Sequence, residues 1–188
     1  MHKKIKYTFI ILVVLILGGM LAYNIWKSDT KTYSPEDTVT YRNENLLVEV
    51  FYNRPYKKGR EIFGKLVPYE EVWRTGANEA TTFETNRNIM VDGSLLKAGK
   101  YTLWTIPDKE SWKVIFNKKM YAWGIELSTE KAARDAEFDA LTLELPVLQP
   151  KETVEQFSIY FTEGHNLNYM HLAWSNTLIK IPFTEAEK

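Results

Sequence analysis

The amino-acid sequence predicts an all-β fold: an antiparallel β-sandwich, jelly-roll or Greek-key-like, with one short helical excursion, preceded by a single N-terminal transmembrane helix. Three observations carry this reading. From Leu46 onward apolar residues recur with the two-residue period of strands, punctuated by Gly, Pro, Asn and Asp at spacings of about 8–12 residues. Helical periodicity there is confined to one short stretch, so the strands have mainly one another to pack against. Ahead of them, no residue from 7 to 26 carries a charge.

The N-terminal segment is the first element. Its centre, residues 9–17, is an unbroken apolar run, and about 20 such residues cross a bilayer as a helix. A cleaved signal peptide has a shorter apolar stretch and ends in a small-x-small site. The best candidate here, Met20-Leu21-Ala22, puts a bulky Met where a small residue belongs, so an uncleaved anchor over residues 7–26 is expected. Lys3, Lys4 and Lys6 hold residues 1–6 in the cytoplasm by the positive-inside rule, which makes the remainder periplasmic or otherwise extracytoplasmic. Residues 27–45 are polar, include Ser34-Pro35 and show no apolar periodicity. They read as a tether able to reach roughly 60 Å at ~3.3 Å per residue, with the folded domain at 46–188.

Residues 46–52 form the first strand, a β-branched and aromatic run that stops at Asn53-Arg54-Pro55. Residues 88–91 lead through Asp92-Gly93, a two-residue hairpin signal, into Leu95-Leu96. Residues 100–106 and 112–117 flank Pro107-Asp108-Lys109-Glu110 as a second hairpin. Its alternation puts Trp112, Val114 and Phe116 on one face, with Trp104 and Ile106 as their expected partners. Strands follow at 141–147, 155–162, 168–174 and 177–183, the last two joined by Ser175-Asn176. Residues 129–136 supply the helical excursion, with Ser128 or Thr129 as its cap.

Composition excludes several function classes. The chain carries 24 basic and 24 acidic residues; three of the cations precede the apolar segment, leaving 21 against 24 beyond it. A mildly acidic domain without a basic run has no electrostatic footprint for nucleic acid. No cysteine is present, so disulfides, thiolate metal sites and a Cys nucleophile are excluded. Gly-x-Ser-x-Gly, phosphate-binding and dinucleotide-binding motifs are absent too, and no cofactor is expected.

The densest concentration of chemistry is residues 73–85, Trp-Arg-Thr-Gly-Ala-Asn-Glu-Ala-Thr-Thr-Phe-Glu-Thr. Gly76 can take the positive φ of a tight turn and Asn78 can bond its own backbone there. A functional reading makes Arg74, Asn78, Glu79, Thr82 and Glu84 a ligand pocket lined by Trp73, with Arg74 gripping a carboxylate. A structural reading pairs Arg74 with Glu79 to buttress the loop. As candidates for catalysis Glu79 and Glu84 resemble the acid/base pair of a glycosidase, but five positions apart they fall on opposite faces of a continuous strand. His165 and His171 lie about 20 Å apart along a strand and have no third ligand near them in sequence, so no metal site is expected. Trp104, Trp112 and Trp174 fall on alternating strands and should be core, leaving Trp123 as the tryptophan most open to a ligand.

Residues 59–69, Gly-Arg-Glu-Ile-Phe-Gly-Lys-Leu-Val-Pro-Tyr, then 71–81, containing Trp-Arg-Thr-Gly-Ala-Asn-Glu, and the block 96–107 followed by Trp112 and Asn117 resemble the domain-of-unknown-function family 2911. The resemblance runs from about Val48 to Pro182. It implies an extracytoplasmic β-domain of the kind found in exported and membrane-bound proteins of Bacteroidetes-type bacteria, and it brings no activity, substrate or cofactor with it. The expected function is therefore a membrane-anchored binding or interaction module for a small polar or glycan ligand or an envelope protein. The alternative is a carboxylate-dependent hydrolase acting on an envelope or imported substrate.

Overall fold

The computed structural model describes residues 2–126 and 128–186. It divides into two units, Met1–Tyr33 and Ser34–Lys188.

The first unit is helix α1, His2–Tyr33. Among its described side chains apolar residues such as Leu12, Leu15, Leu17 and Leu21 are exposed around the helix rather than along one stripe. A helix apolar all round suits a lipid surround. Ile5–Tyr33 is long and apolar enough to cross a membrane, as a membrane anchor or a signal sequence does.

Among its described residues the second unit holds eleven strands in two packed antiparallel sheets. The larger sheet has the order β1 (Glu36–Asn43), β2 (Leu46–Asn53), β3 (Thr82–Thr85), β6 (Gly99–Pro107), β7 (Ser111–Asn117), β8 (Asp139–Pro146). The smaller has the order β5 (Ser94–Leu96), β4 (Ile89–Val91), β11 (Thr177–Glu185), β10 (Asn168–Ser175), β9 (Val154–Glu163). The chain changes sheet between β3 and β4, between β5 and β6, and between β8 and β9. Inward residues of both sheets, among them Val48, Val50, Leu103, Phe116, Ile159, Leu172 and Ile181, form one main core.

Three expectations are corrected. The segment 27–45 is not a tether: α1 runs through Tyr33, and β1 pairs with β2 residue for residue from Glu36↔Asn53 to Asn43↔Leu46. The sequence of β1 shows no apolar periodicity because the strand is polar on its outward side and buries only Tyr41 fully. Two residues, Ser34 and Pro35, connect helix to strand, and the domain begins at Ser34 rather than Leu46. Second, Trp104 and Ile106 do not share a face with Trp112, Val114 and Phe116. The β6–β7 register pairs Pro107 with Trp112 and Trp104 with Ile115, which turns Trp104 to the opposite side of the sheet. A one-residue change of register moves every side chain to the other face. Trp104, Ala80 and Ile115 form a second small core there, joined by Val72, Ile106, Tyr121 and Ala132.

Third, the expected helix over 129–136 does not form: residues 129–135 are not helical. Glu130 takes φ +56, Ile125 bridges Ala132, and the Ala133 amide donates to the Gly124 carbonyl at 3.1 Å. Eight residues are too few for intrinsic propensity to hold a helix against packing on the second core. The helical excursion is instead a single 3-10 turn, Ala136–Phe138, capped by Asp135, whose side chain accepts from the Glu137 amide.

Candidate functional site

Residues 73–85 fold as a loop that enters β3, and the polar groups of Thr75, Asn78, Thr81 and Thr85 are buried in the domain. Trp73 forms a two-bond bridge with Thr105 of β6, its amide donating at 2.7 Å and its carbonyl accepting at 2.9 Å. That bridge fixes the indole between the sheets. It stacks on Trp174 of β10 at 5.9 Å and 19°, and meets Phe157 of β9 at 5.1 Å and Trp112 of β7 at 6.1 Å. Its Nε1 donates to the Gly76 carbonyl at 3.0 Å. Trp73 is thus a bolt between the sheets, and the role of lining a pocket is corrected to a place in the aromatic core.

The turn that follows is conformationally demanding. Thr75, Gly76 and Asn78 have φ of +56, +155 and +54. For a β-branched residue such as Thr75 this is unusual and persists only where the surroundings enforce it. Here its Oγ1 meets Thr105 Oγ1 at 3.1 Å, and its carbonyl accepts from Thr81 Oγ1 at 2.7 Å. Both threonines have no solvent exposure. A Cβ on Gly76 would sit 3.0 Å from the Asn53 carbonyl oxygen and 3.1 Å from Thr81 Oγ1, so the close approach of the loop to β2 requires glycine.

Asn53, the buried last residue of β2, ties the loop together. Its Nδ2 donates to Glu79 Oε2 at 3.1 Å, and its Oδ1 accepts from Asn78 Nδ2 at 3.4 Å. Asn78 Nδ2 also reaches the Ser34 carbonyl at 3.3 Å, joining the loop to the first residue of the domain. Arg74 Nη1 donates to the Trp123 carbonyl at 3.0 Å. Burial holds the Arg74 guanidinium below its ordinary pKa, and the Glu79 carboxylate opposes that shift. Gly124, at φ +76, packs on the Arg74 stem, where a Cβ would lie 3.2 Å from Arg74 Cβ.

Thr82 and Glu84 stand apart from this group, on the outward side of β3. Glu84 is half exposed and pairs with Lys100 across the strand at 3.2 Å. It lies opposite Glu49 of β2, whereas Glu79 is bonded to Asn53 four residues further along that strand. Four residues of strand are about 13 Å of backbone, and the two carboxylates are held by different groups, Asn53 of β2 and Lys100 of β6. The fold therefore brings Arg74, Asn78 and Glu79 together and leaves Glu84 and Thr82 elsewhere. Trp104, Trp112 and Trp174 are core, and Trp123 is half-buried with its carbonyl engaged by Arg74.

Sequence reasoning missed Asn53 and Thr105, whose roles depend on contacts far along the chain. It also passed over the surroundings of His171. That residue is 7% exposed although it lies on the outward side of β10. Its ring stacks on Tyr160 of β9 at 4.5 Å and 6°, and its Nε2 meets Thr162 Oγ1 at 2.8 Å. Burial, and then the charge of Lys180, hold the imidazole below its ordinary pKa, so it is neutral at neutral pH. The Lys180 ammonium rests 3.6 Å from the centroid of the Tyr169 ring. Among the described residues no three His, Asp or Glu side chains are grouped so as to hold a metal ion.

No curated protein and no solved structure matches the sequence. A family model does match, over residues 34–183, which begins where the structure begins the domain and takes in the loop at 73–85 and the His171 strands. The chain belongs to the family described as protein of unknown function DUF2911.

Proposed function

We propose that the chain is a membrane-anchored, extracytoplasmic binding or interaction module, taking a small polar or glycan ligand or an envelope protein, and that it is not a carboxylate-dependent hydrolase. One observation carries the proposal: Glu79 is held by Asn53 of β2 and Glu84 by Lys100 of β6, so each candidate carboxylate is engaged by its own partner on a different strand. The polar network at Asn53, Asn78 and Glu79 supports a scaffold role for residues 73–85. The anchor and its orientation rest on the long apolar helix and on Lys3, Lys4 and Lys6 ahead of it.

The full-length protein in nanodiscs tests the choice between binding and hydrolysis. Turnover of chromogenic glycosides that is lost in Glu79→Gln without a change in Tm would establish the hydrolase and remove this reading. The expected result is no glycosidase turnover and a lowered Tm for the variant. Orientation can be read in cells because the chain has no cysteine. Thr142→Cys, at an exposed position of β8, should react with a membrane-impermeant maleimide added outside.

A further inference from the structure

We propose that the outward face of β9–β11 is a subsite for an acidic saccharide, with the Tyr160 ring as its stacking surface and Lys180 as its counter-charge. This deepens the binding-module reading and rests on it. Alternation along the strands turns Phe157, Ile159, Met170, Leu172, Ile179 and Ile181 into the core, which leaves Tyr160, His171 and Lys180 on the outer side. The register sets these three opposite one another on adjacent strands, with Thr162 and Tyr169 paired two residues along.

The ring of Tyr160 is presented rather than merely exposed. The residue is 41% exposed, yet its ring lies flat on His171, and His171 is fixed in turn by the Thr162 hydroxyl. β9 is the edge strand of its sheet, so no strand of that sheet lies beyond the ring. A tyrosine already held in one rotamer gives up little entropy on contact and offers an aromatic face to the C–H side of a sugar ring.

Charge selects the kind of sugar. Beyond the anchor the sequence has more acid than base, but the outward positions of β9, β10 and β11 carry one formal charge, Lys180, and no carboxylate. The Lys180 ammonium rests on the Tyr169 ring, which leaves its donors able to meet an anion. Arg54 reaches Ser158 on the same side at 3.2 Å, but Asp37 matches its charge at 3.1 Å. A contiguous apolar patch of several hundred Å² would point to a protein partner. Here Tyr160, at 41%, is the one exposed large hydrophobic among these outward residues.

The test uses the full-length chain in zwitterionic nanodiscs and measures Kd for tetramers of galacturonate, mannuronate and glucuronate, with maltotetraose as the neutral comparison. At least one acidic tetramer should bind and maltotetraose should bind roughly tenfold more weakly or not at all. Tyr160→Ala and Lys180→Gln should each weaken that binding roughly tenfold with Tm nearly unchanged, and Tyr160→Phe should retain it. Binding that survives Tyr160→Ala, or equal binding of maltotetraose, overturns the subsite while leaving the module reading in place. If none of the three acidic tetramers binds, the subsite falls. The module reading is judged separately, by the glycosidase assay.

Discussion

Residues 73–85 hold an arginine, two glutamates, an asparagine and four threonines, whereas the outward face of β9–β11 holds a histidine, a lysine, two tyrosines and a threonine within one patch. The first region turns most of its groups inward, onto Asn53, Thr105, Ser34 and Trp123, with Thr82 and Glu84 the exceptions. The second turns a rigid ring and a cation outward. The difference teaches that density of functional groups along a sequence does not measure their availability. A polar loop that must be buried to close a sandwich is obliged to satisfy itself, while a simple alternating strand can deliver a ring to solvent in fixed orientation.

If the contrast is sound, substitutions of the inward groups of the loop should affect stability and those of Tyr160 and Lys180 should not. Trp73→Ala should produce the largest loss, about 3–5 kcal/mol by denaturant unfolding, because it removes the indole that meets aromatics from three strands. A loss below about 1 kcal/mol would break the contrast at once. Thr81→Val comes next. It leaves the Thr75 carbonyl without the hydroxyl donor in a site closed to water and should cost about 1–3 kcal/mol, measured the same way.

The pH dependence of Tm sharpens the other side. The folded His171 has a pKa below its ordinary 6.5, so the unfolded chain takes up the proton first as pH falls. Its neutral form contributes fully above about pH 6.5, and that contribution is lost as pH drops through and below this value. His171→Gln should flatten the Tm profile between about pH 7 and pH 5. A second loss lies at lower pH. Hydrogen bonding from Lys119 holds the Asp135 carboxyl below its ordinary 3.8, so its contribution is present above that value and disappears further into acid. The smallest effect belongs to Glu84→Gln. Its half-exposed pair with Lys100 is worth at most about 1 kcal/mol, and the difference should vanish in high salt.

The sequence was most legible where information is local. The apolar run of α1, the Asp92-Gly93 turn and the alternation of β10 and β11 each declare themselves within about ten residues. Asp92 and Gly93 indeed take φ of +47 and +76, the backbone that such a turn requires. Legibility failed where register or distant partners decide. Trp104 faces the second core because the hairpin pairs Pro107 with Trp112, which alternation within one strand cannot reveal. The electrostatic influence of Glu79 on Arg74 was readable as one alternative, since both lie in one short turn. Asn53 was not, because it meets Asn78 and Glu79 from 25 and 26 residues away.

Strand β1 has a consequence beyond its place in the sheet. An edge strand offers unpaired backbone groups to any other chain, and a charged residue directed inward is one way that proteins make such an edge unattractive. Asp37, matched by Arg54 at 3.1 Å and near the Tyr52 hydroxyl at 3.4 Å, is such a residue. Beneath it β2 carries Leu46, Val48 and Val50, an apolar run with no comparable guard. A chain shortened to begin at Leu46 would uncover that run as a bare template for intermolecular pairing, so the residues between helix and β2 are also the domain's protection against aggregation.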